Sequence, residues 1–211
     1  AQTAARDQAL SHARSLTRAC ALSIRAVHRD ETDVMKAHLD EARQLVATLR
    51  TGLADYPAMF FAGYTQDSMK EFAEASITCA LIRHEPLPTP EELNLQPNTY
   101  MNGLAESVGE MRRRCLDMLR QDNFTEAELL LGHMDDIYAI LVTMDYADAI
   151  TNGLRRQTDI IRAIIERTRG DVTFSLRGEK LERSLARIRE QLAGSEQLED
   201  NPKQFLPPEE D

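Results

Sequence analysis

The sequence predicts an all-α protein. No segment alternates apolar and polar residues over strand length, so nothing reads as a half-buried β-strand. Apolar residues instead recur at spacings of three and four, the period of one helix face. The chain is also rich in Ala, Leu, Glu, Arg, Gln and Met, all good helix formers. With 211 residues, it is sized for one ordinary domain.

The first helix is expected from about Ala5 to His28, with Leu10, Ala13, Leu16, Cys20 and Ile24 as its apolar stripe. A polar break over Arg29–Asp33 separates it from a second helix, about Asp33 to Leu53, carrying Met35, Leu39, Ala42, Leu45, Val46 and Leu49. Tyr56-Pro57 marks a loop. A third helix begins between Gly63 and Ser68 and runs to about Arg83, where Pro86, Pro88 and Pro90 stop it. Thr89-Pro90-Glu91-Glu92 reads as an N-cap followed by a helical turn. The fourth helix opens at Pro97-Asn98 and reaches about Arg120; Asp122–Thr125 is a turn with Thr125 as the expected cap. Further helices are expected over Glu126–Met144, Ala147–Arg169 and Arg177–Leu192, with Gly170 ending or bending the sixth. Val172–Leu176 is read as helix continuation or connector, because no partner strand exists elsewhere. The domain is expected to span residues 1–193, with 194–211 an acidic, proline-containing tail that docks through Phe205-Leu206.

The formal net charge of −10 argues against a generic nucleic-acid binder, which should be basic. Cys20, Cys79 and Cys115 are odd in number and have no CxxC spacing, so they read as buried free thiols in a reducing compartment. No run approaches the roughly 20 apolar residues of a membrane span, and the expected location is cytoplasmic.

Two glutamate pairs stand out. Glu71 and Glu74 are three apart, Glu106 and Glu110 four apart, and at both spacings the side chains are neighbours on a helix. Four converging carboxylates would suit a hard divalent cation with oxygen ligands. The helical wheel, however, puts Leu104, Val108, Met111, Cys115 and Leu119 on the core side of the fourth helix, with Glu106, Glu110, Arg113 and Asp117 opposite. In the third helix, Met69, Phe72, Ala73, Cys79 and Ala80 lie opposite Glu71, Glu74 and Thr78. Periodicity alone therefore reads both pairs as a solvated face. A di-iron bundle would need inward-facing Glu and a Glu-x-x-His motif, which the chain lacks. There is no phosphate-binding loop or dinucleotide fingerprint either.

Three segments resemble the translin family, and specifically its catalytic branch, translin-associated factor X. They are Glu71-Phe72-Ala73-Glu74-Ala75, the run from Tyr100 through Gly103, Glu106, Gly109 and Glu110 to Met111 with Arg113 and Cys115, and Leu176-Arg177-Gly178. His28-Arg29 resembles a His-Arg pair at the end of the family's first helix. The resemblance covers most of residues 10–192 and implies a seven-helix, all-α bundle protomer. It also implies a hollow octamer, of this chain alone or with translin subunits, enclosing single-stranded RNA or alternatively single-stranded DNA. It implies Mg²⁺, with Mn²⁺ as an alternative, held by Glu71, Glu74, Glu106 and Glu110 for endoribonuclease activity. Glu106 replaces the Asp usual in the animal catalytic subunit. The other reading is a non-catalytic, translin-like binding module. One departure concerns cations: translin has a basic segment before its third helix, whereas Phe60–Asp67 here has none. The basic residues expected to meet nucleic acid are Lys70, Arg112, Arg113 and Arg114.

Overall fold

The computed structural model describes residues 2–199, with side chains as far as Leu192. The described chain is helix and turn. Its elements are α1 (Gln2–His28), α2 (Thr32–Gly52), α3 (Pro57–Phe60), α4 (Gly63–Ile82), α5 (Pro97–Arg120), α6 (Phe124–Leu141), α7 (Asp148–Thr151) and α8 (Leu154–Glu199). Six are substantial; α3 and α7 are four residues each.

The core is built around α4. α1 and α5 lie against it, α2 pairs with α1, and α6 pairs with α5. Leu16, Met35, Leu49, Met69, Phe72, Ile77, Val108, Met111, Leu130, Met134 and Ile161 are fully buried. Each such side chain removed from water contributes about 1.5–3 kcal/mol. Cys20, Cys79 and Cys115 are buried free thiols.

Three helices end in the same closure, without glycine. After α1, Asp30 takes φ +59° and the Glu31 N–H donates back to Ala26 O at 3.0 Å. His84 and Asp122 do the same after α4 and α5, with 2.9 Å bonds from Glu85 to Ala80 and from Asn123 to Met118. This left-handed cap satisfies carbonyls that the helix end leaves open. The expected Thr125 cap is corrected: Asn123 Oδ1 accepts from the Glu126 N–H at 3.2 Å, and α6 starts at Phe124. The turn at Thr89 forms as a reciprocal capping box, with Glu92 accepting from Thr89 N–H at 2.7 Å and Thr89 Oγ1 from Glu92 N–H at 3.2 Å.

The C-terminal third departs from expectation in where it breaks. Asn152 and Gly153 both take positive φ, +58° and +83°, which cuts off the single turn of α7. Beyond them α8 runs unbroken through Gly170 and Val172–Leu176 to Glu199, so the expected sixth and seventh helices are largely one. Gly170 costs a helix only about 1 kcal/mol, and the weak helix formers Asp171, Val172 and Thr173 that follow it do not break α8 either.

The chain divides into two compact units, residues 1–169 and 170–211. In the second unit, Phe174, Leu181, Leu185, Ile188 and Leu192 are all exposed, at successive spacings of seven, four, three and four. Residues 194–199 of the expected tail belong to α8, while 200–211, including Phe205-Leu206, lie outside the described residues.

Candidate metal centre

A missing side chain brings α4 and α5 together. A Cβ on Gly103 would lie 2.4 Å from the Ala73 Cβ, 2.8 Å from Lys70 O and 3.0 Å from Glu74 N. Contacts that short are not tolerated, so only glycine lets the α5 backbone approach α4 this closely. Asn102, its neighbour, is buried and donates to Asn98 O and Thr151 O, both at 2.8 Å, which ties α7 to α5. Glu106 follows Gly103 by about one helical turn and arrives beside the α4 glutamates.

Glu71, Glu74 and Glu106 are brought together: each offers a carboxylate oxygen, and all three oxygens lie within 4.8 Å of one another. None of the three is buried outright and none is fully exposed. Glu110 is not in that group. Its Oε2 lies 2.6 Å from Nε2 of His28, the last residue of α1, and 3.6 Å from Arg113 Nη1. Glu106 Oε1 accepts from Lys70 Nζ at 2.8 Å and from Gln157 Nε2 of α8 at 3.3 Å.

The electrostatics divide the four carboxyls. Burial, then the charges of Glu71, Glu106 and Glu110, push Glu74 from its ordinary 4.5 up to about 8. Glu71 is raised too, by burial first and then by Glu106. Glu110 is instead held below the usual range, chiefly by the hydrogen bond to His28. The Cys20 thiol is pushed up by burial and by the charges of Glu71 and Glu74.

The solvated-face expectation is corrected for α4. From Phe72 to Ile82 every residue but Glu74 is buried, and Thr78, expected on the outer face, is 0% exposed. Helices α1 and α5 cover that side as well. On α5, Met118 is buried and Leu119 only partly so.

The four expected nucleic-acid-binding cations all have protein partners. Lys70 pairs with Glu106. Arg112 Nη1 donates to Thr168 Oγ1 at 2.8 Å. Arg114 reaches His28 O at 3.2 Å and Asp30 Oδ1 at 2.8 Å. Arg113 is the most open of the four, with a side chain 56% exposed. Neither His28 nor Gln157 has a role that can be read from its spacing; His28 was visible only through a two-residue resemblance, and Gln157 carried no signal.

The donor set fits a hard divalent ion. All three clustered ligands are carboxylates, and Mg²⁺ takes oxygen at about 2.0–2.1 Å, so two oxygens across one ion are about 4.2 Å apart. The three oxygens of the cluster lie within 4.8 Å of one another, the scale of one ion's ligand shell. Burial first, and then the neighbouring carboxylates, raise Glu74 and Glu71, and Lys70 offsets this only in part.

No protein-family model matches the chain. The uncharacterized protein MJ0175 of Methanocaldococcus jannaschii is 35% identical over 185 residues, spanning 87% of this chain and 82% of that protein. Among solved structures, AfC3PO in complex with duplex RNA is similar, with a TM-score of 0.79 at 29% identity over 84% of this chain and 92% of the other. A crystal structure of AfC3PO gives 0.78 at 30% identity over the same shares. Apo-NeC3PO gives 0.76 at 18% identity, over 82% of this chain and 90% of the other, a likeness of fold.

Proposed function

Because the chain belongs to the family of MJ0175 and AfC3PO, the C3PO-like proteins with a translin-like fold, we propose that it is a divalent-metal-dependent endoribonuclease acting inside a hollow oligomer. The observation that carries this reading is the gathering of Glu71, Glu74 and Glu106 within 4.8 Å, with Glu110 held beside them by His28.

Glu71, Glu74 and Glu106 would hold Mg²⁺, or Mn²⁺ in its place, and Glu110 completes the acidic wall. A bound divalent ion supplies Lewis-acid polarisation of the scissile phosphate and a water of lowered pKa. The chain's own residues do the rest. Gly103 sets the helix spacing that lets the carboxylates meet. Gln157 steadies Glu106, and Lys70 counters its charge and is the cation nearest to an incoming phosphate. Arg113, exposed at the rim, is the second phosphate contact.

The substrate class is RNA. The family resemblance favours single strands, and the duplex bound by AfC3PO makes double-stranded RNA the necessary comparison. Assembly into an octamer, alone or with translin subunits, is supported by the exposed apolar row Phe174, Leu181, Leu185, Ile188 and Leu192 on α8. An apolar face of that kind calls for another surface to cover it.

The test is cleavage of end-labelled RNA, single-stranded and duplex, with Mg²⁺, with Mn²⁺ and with excess chelator, alongside light scattering. Metal-dependent cutting by an assembly well above monomer mass is expected. The AfC3PO–RNA complex also favours a second reading, an RNA-binding module that does not cut. Tight binding with no cleavage in any metal would select it.

A further inference from the structure

We propose that His28 is a positioning residue for the metal centre: it holds one oxygen of Glu110 so that the carboxylate stays in the acidic wall. This rests on the reading of Glu110 as part of that centre.

The geometry is specific. His28 closes α1, and its side chain is 3% exposed. Nε2 lies 2.6 Å from Glu110 Oε2, across 82 residues of chain. An ionised carboxylate can only accept, so Nε2 carries the proton. The other ring nitrogen, Nδ1, is buried with no hydrogen-bond partner. Among the described residues the ring therefore has a single hydrogen-bond partner, Glu110.

The backbone of the same residue is fixed as well. Arg114, one turn beyond Glu110 on α5, donates to His28 O at 3.2 Å and grips Asp30 at 2.8 Å. The end of α1 is thus pinned to α5 at two points one turn apart, the imidazole at Glu110 and the backbone at Arg114.

The need for a holder follows from charge. Glu110 stands four residues from Glu106 on the same face of α5, and like charges at that spacing repel. Unheld, a partly exposed glutamate would swing towards water and away from its like-charged neighbour. Arg113, 3.6 Å away and mostly exposed, is too loose to prevent this. An apolar pair would join α1 to α5 with less desolvation; what the imidazole adds is direction. The contact fixes Oε2, which Arg113 also approaches.

The experiment compares His28→Gln with His28→Asn in the full chain. Both are neutral amides, but only Gln is long enough to place an N–H near the position of Nε2. Mn²⁺ affinity is read from the electron paramagnetic resonance signal of the free ion, and kcat and KM from cleavage of labelled RNA. His28→Asn should weaken Mn²⁺ binding about 10- to 100-fold, the usual effect of losing a hydrogen bond to a ligating group. It should lower kcat with little change in KM, and His28→Gln should recover most of both. Wild-type Mn²⁺ affinity in His28→Asn, or a His28→Gln variant no better than His28→Asn at equal melting temperature, would overturn the inference alone. If the wild type binds Mn²⁺ no tighter than Glu71→Gln does, the metal-centre reading fails, and this inference fails with it.

Discussion

Lys70 Nζ sits 2.8 Å from Glu106 Oε1, so the acidic cluster carries a cation of its own. On the function proposed above, that ammonium and a divalent ion would compete for the Glu106 carboxylate. Lys70→Met should therefore tighten Mn²⁺ binding by about tenfold, equivalent to about 1.4 kcal/mol. It should also destabilise the metal-free protein by about 1–3 kcal/mol, the loss of a charged hydrogen bond. Titration with Mn²⁺ and a melting curve in chelator check the two directions. A variant that binds metal more weakly would count Lys70 as a support of the site and not as a competitor.

Glu74 sets a pH dependence with a defined sign. Its carboxyl is raised from 4.5 to about 8 in the fold, so between those values the unfolded chain holds fewer protons at this position than the folded one. Stability of the metal-free protein should fall as pH rises through that window and level off above it. Mn²⁺ should reverse the trend, since ligands must be deprotonated to bind and its stabilising effect grows towards pH 8.5. Melting temperatures at pH 5.5 and 8.5, with and without Mn²⁺, in the wild type and in Glu74→Gln, read this out. The variant should lack the Glu74 part of the slope.

Two isosteric changes should separate the roles of the carboxylates. Glu71→Gln and Glu110→Gln are both expected to lower cleavage by orders of magnitude. Their effects on the metal-free fold should be opposite. Glu71 is a raised, repelled carboxyl, so its neutralisation should hold or increase stability at neutral pH. Glu110 is a lowered, hydrogen-bonded one, whose stabilising contribution is present above about pH 4.5 and lost as pH falls through its folded value. Its neutralisation should cost about 1–3 kcal/mol. Near wild-type cleavage by both variants would return these residues to an ordinary polar surface.

Gly103→Ala adds one methyl group where Ala73 and the α4 backbone leave no room. The helices must part, costing about 1–3 kcal/mol, and the oxygens of Glu106 and the α4 pair must separate with them. Mn²⁺ affinity should fall even under conditions where the variant remains fully folded. A Gly109→Ala control, with nothing within 4 Å of the added atom, should keep wild-type affinity.

The glutamate spacings were legible because a helix fixes neighbours at three and four residues, and so was the all-α class. The half-burial of the site was not. A helical wheel for α4 sees Glu71, Glu74 and Thr78 opposite an apolar stripe, but it cannot see α1 and α5 covering that side too. His28 was equally hidden, since its partner lies 82 residues away and no local rule links a helix-terminal histidine to a distant glutamate. The merging of the last two expected helices has a different cause. Gly170 is a weak breaker, and the true break came from left-handed backbone at Asn152 and Gly153.

The burial of α4 also governs how its amides exchange with solvent. With packing on every side from Phe72 to Ile82 apart from Glu74, these backbone protons can be released only by openings close to global unfolding. One of the three clustered carboxylates, Glu74, thus rides within what should be the slowest-exchanging segment of the protomer, and Glu71 borders it. On the function proposed above, a substrate would meet Glu74 as part of a fixed template.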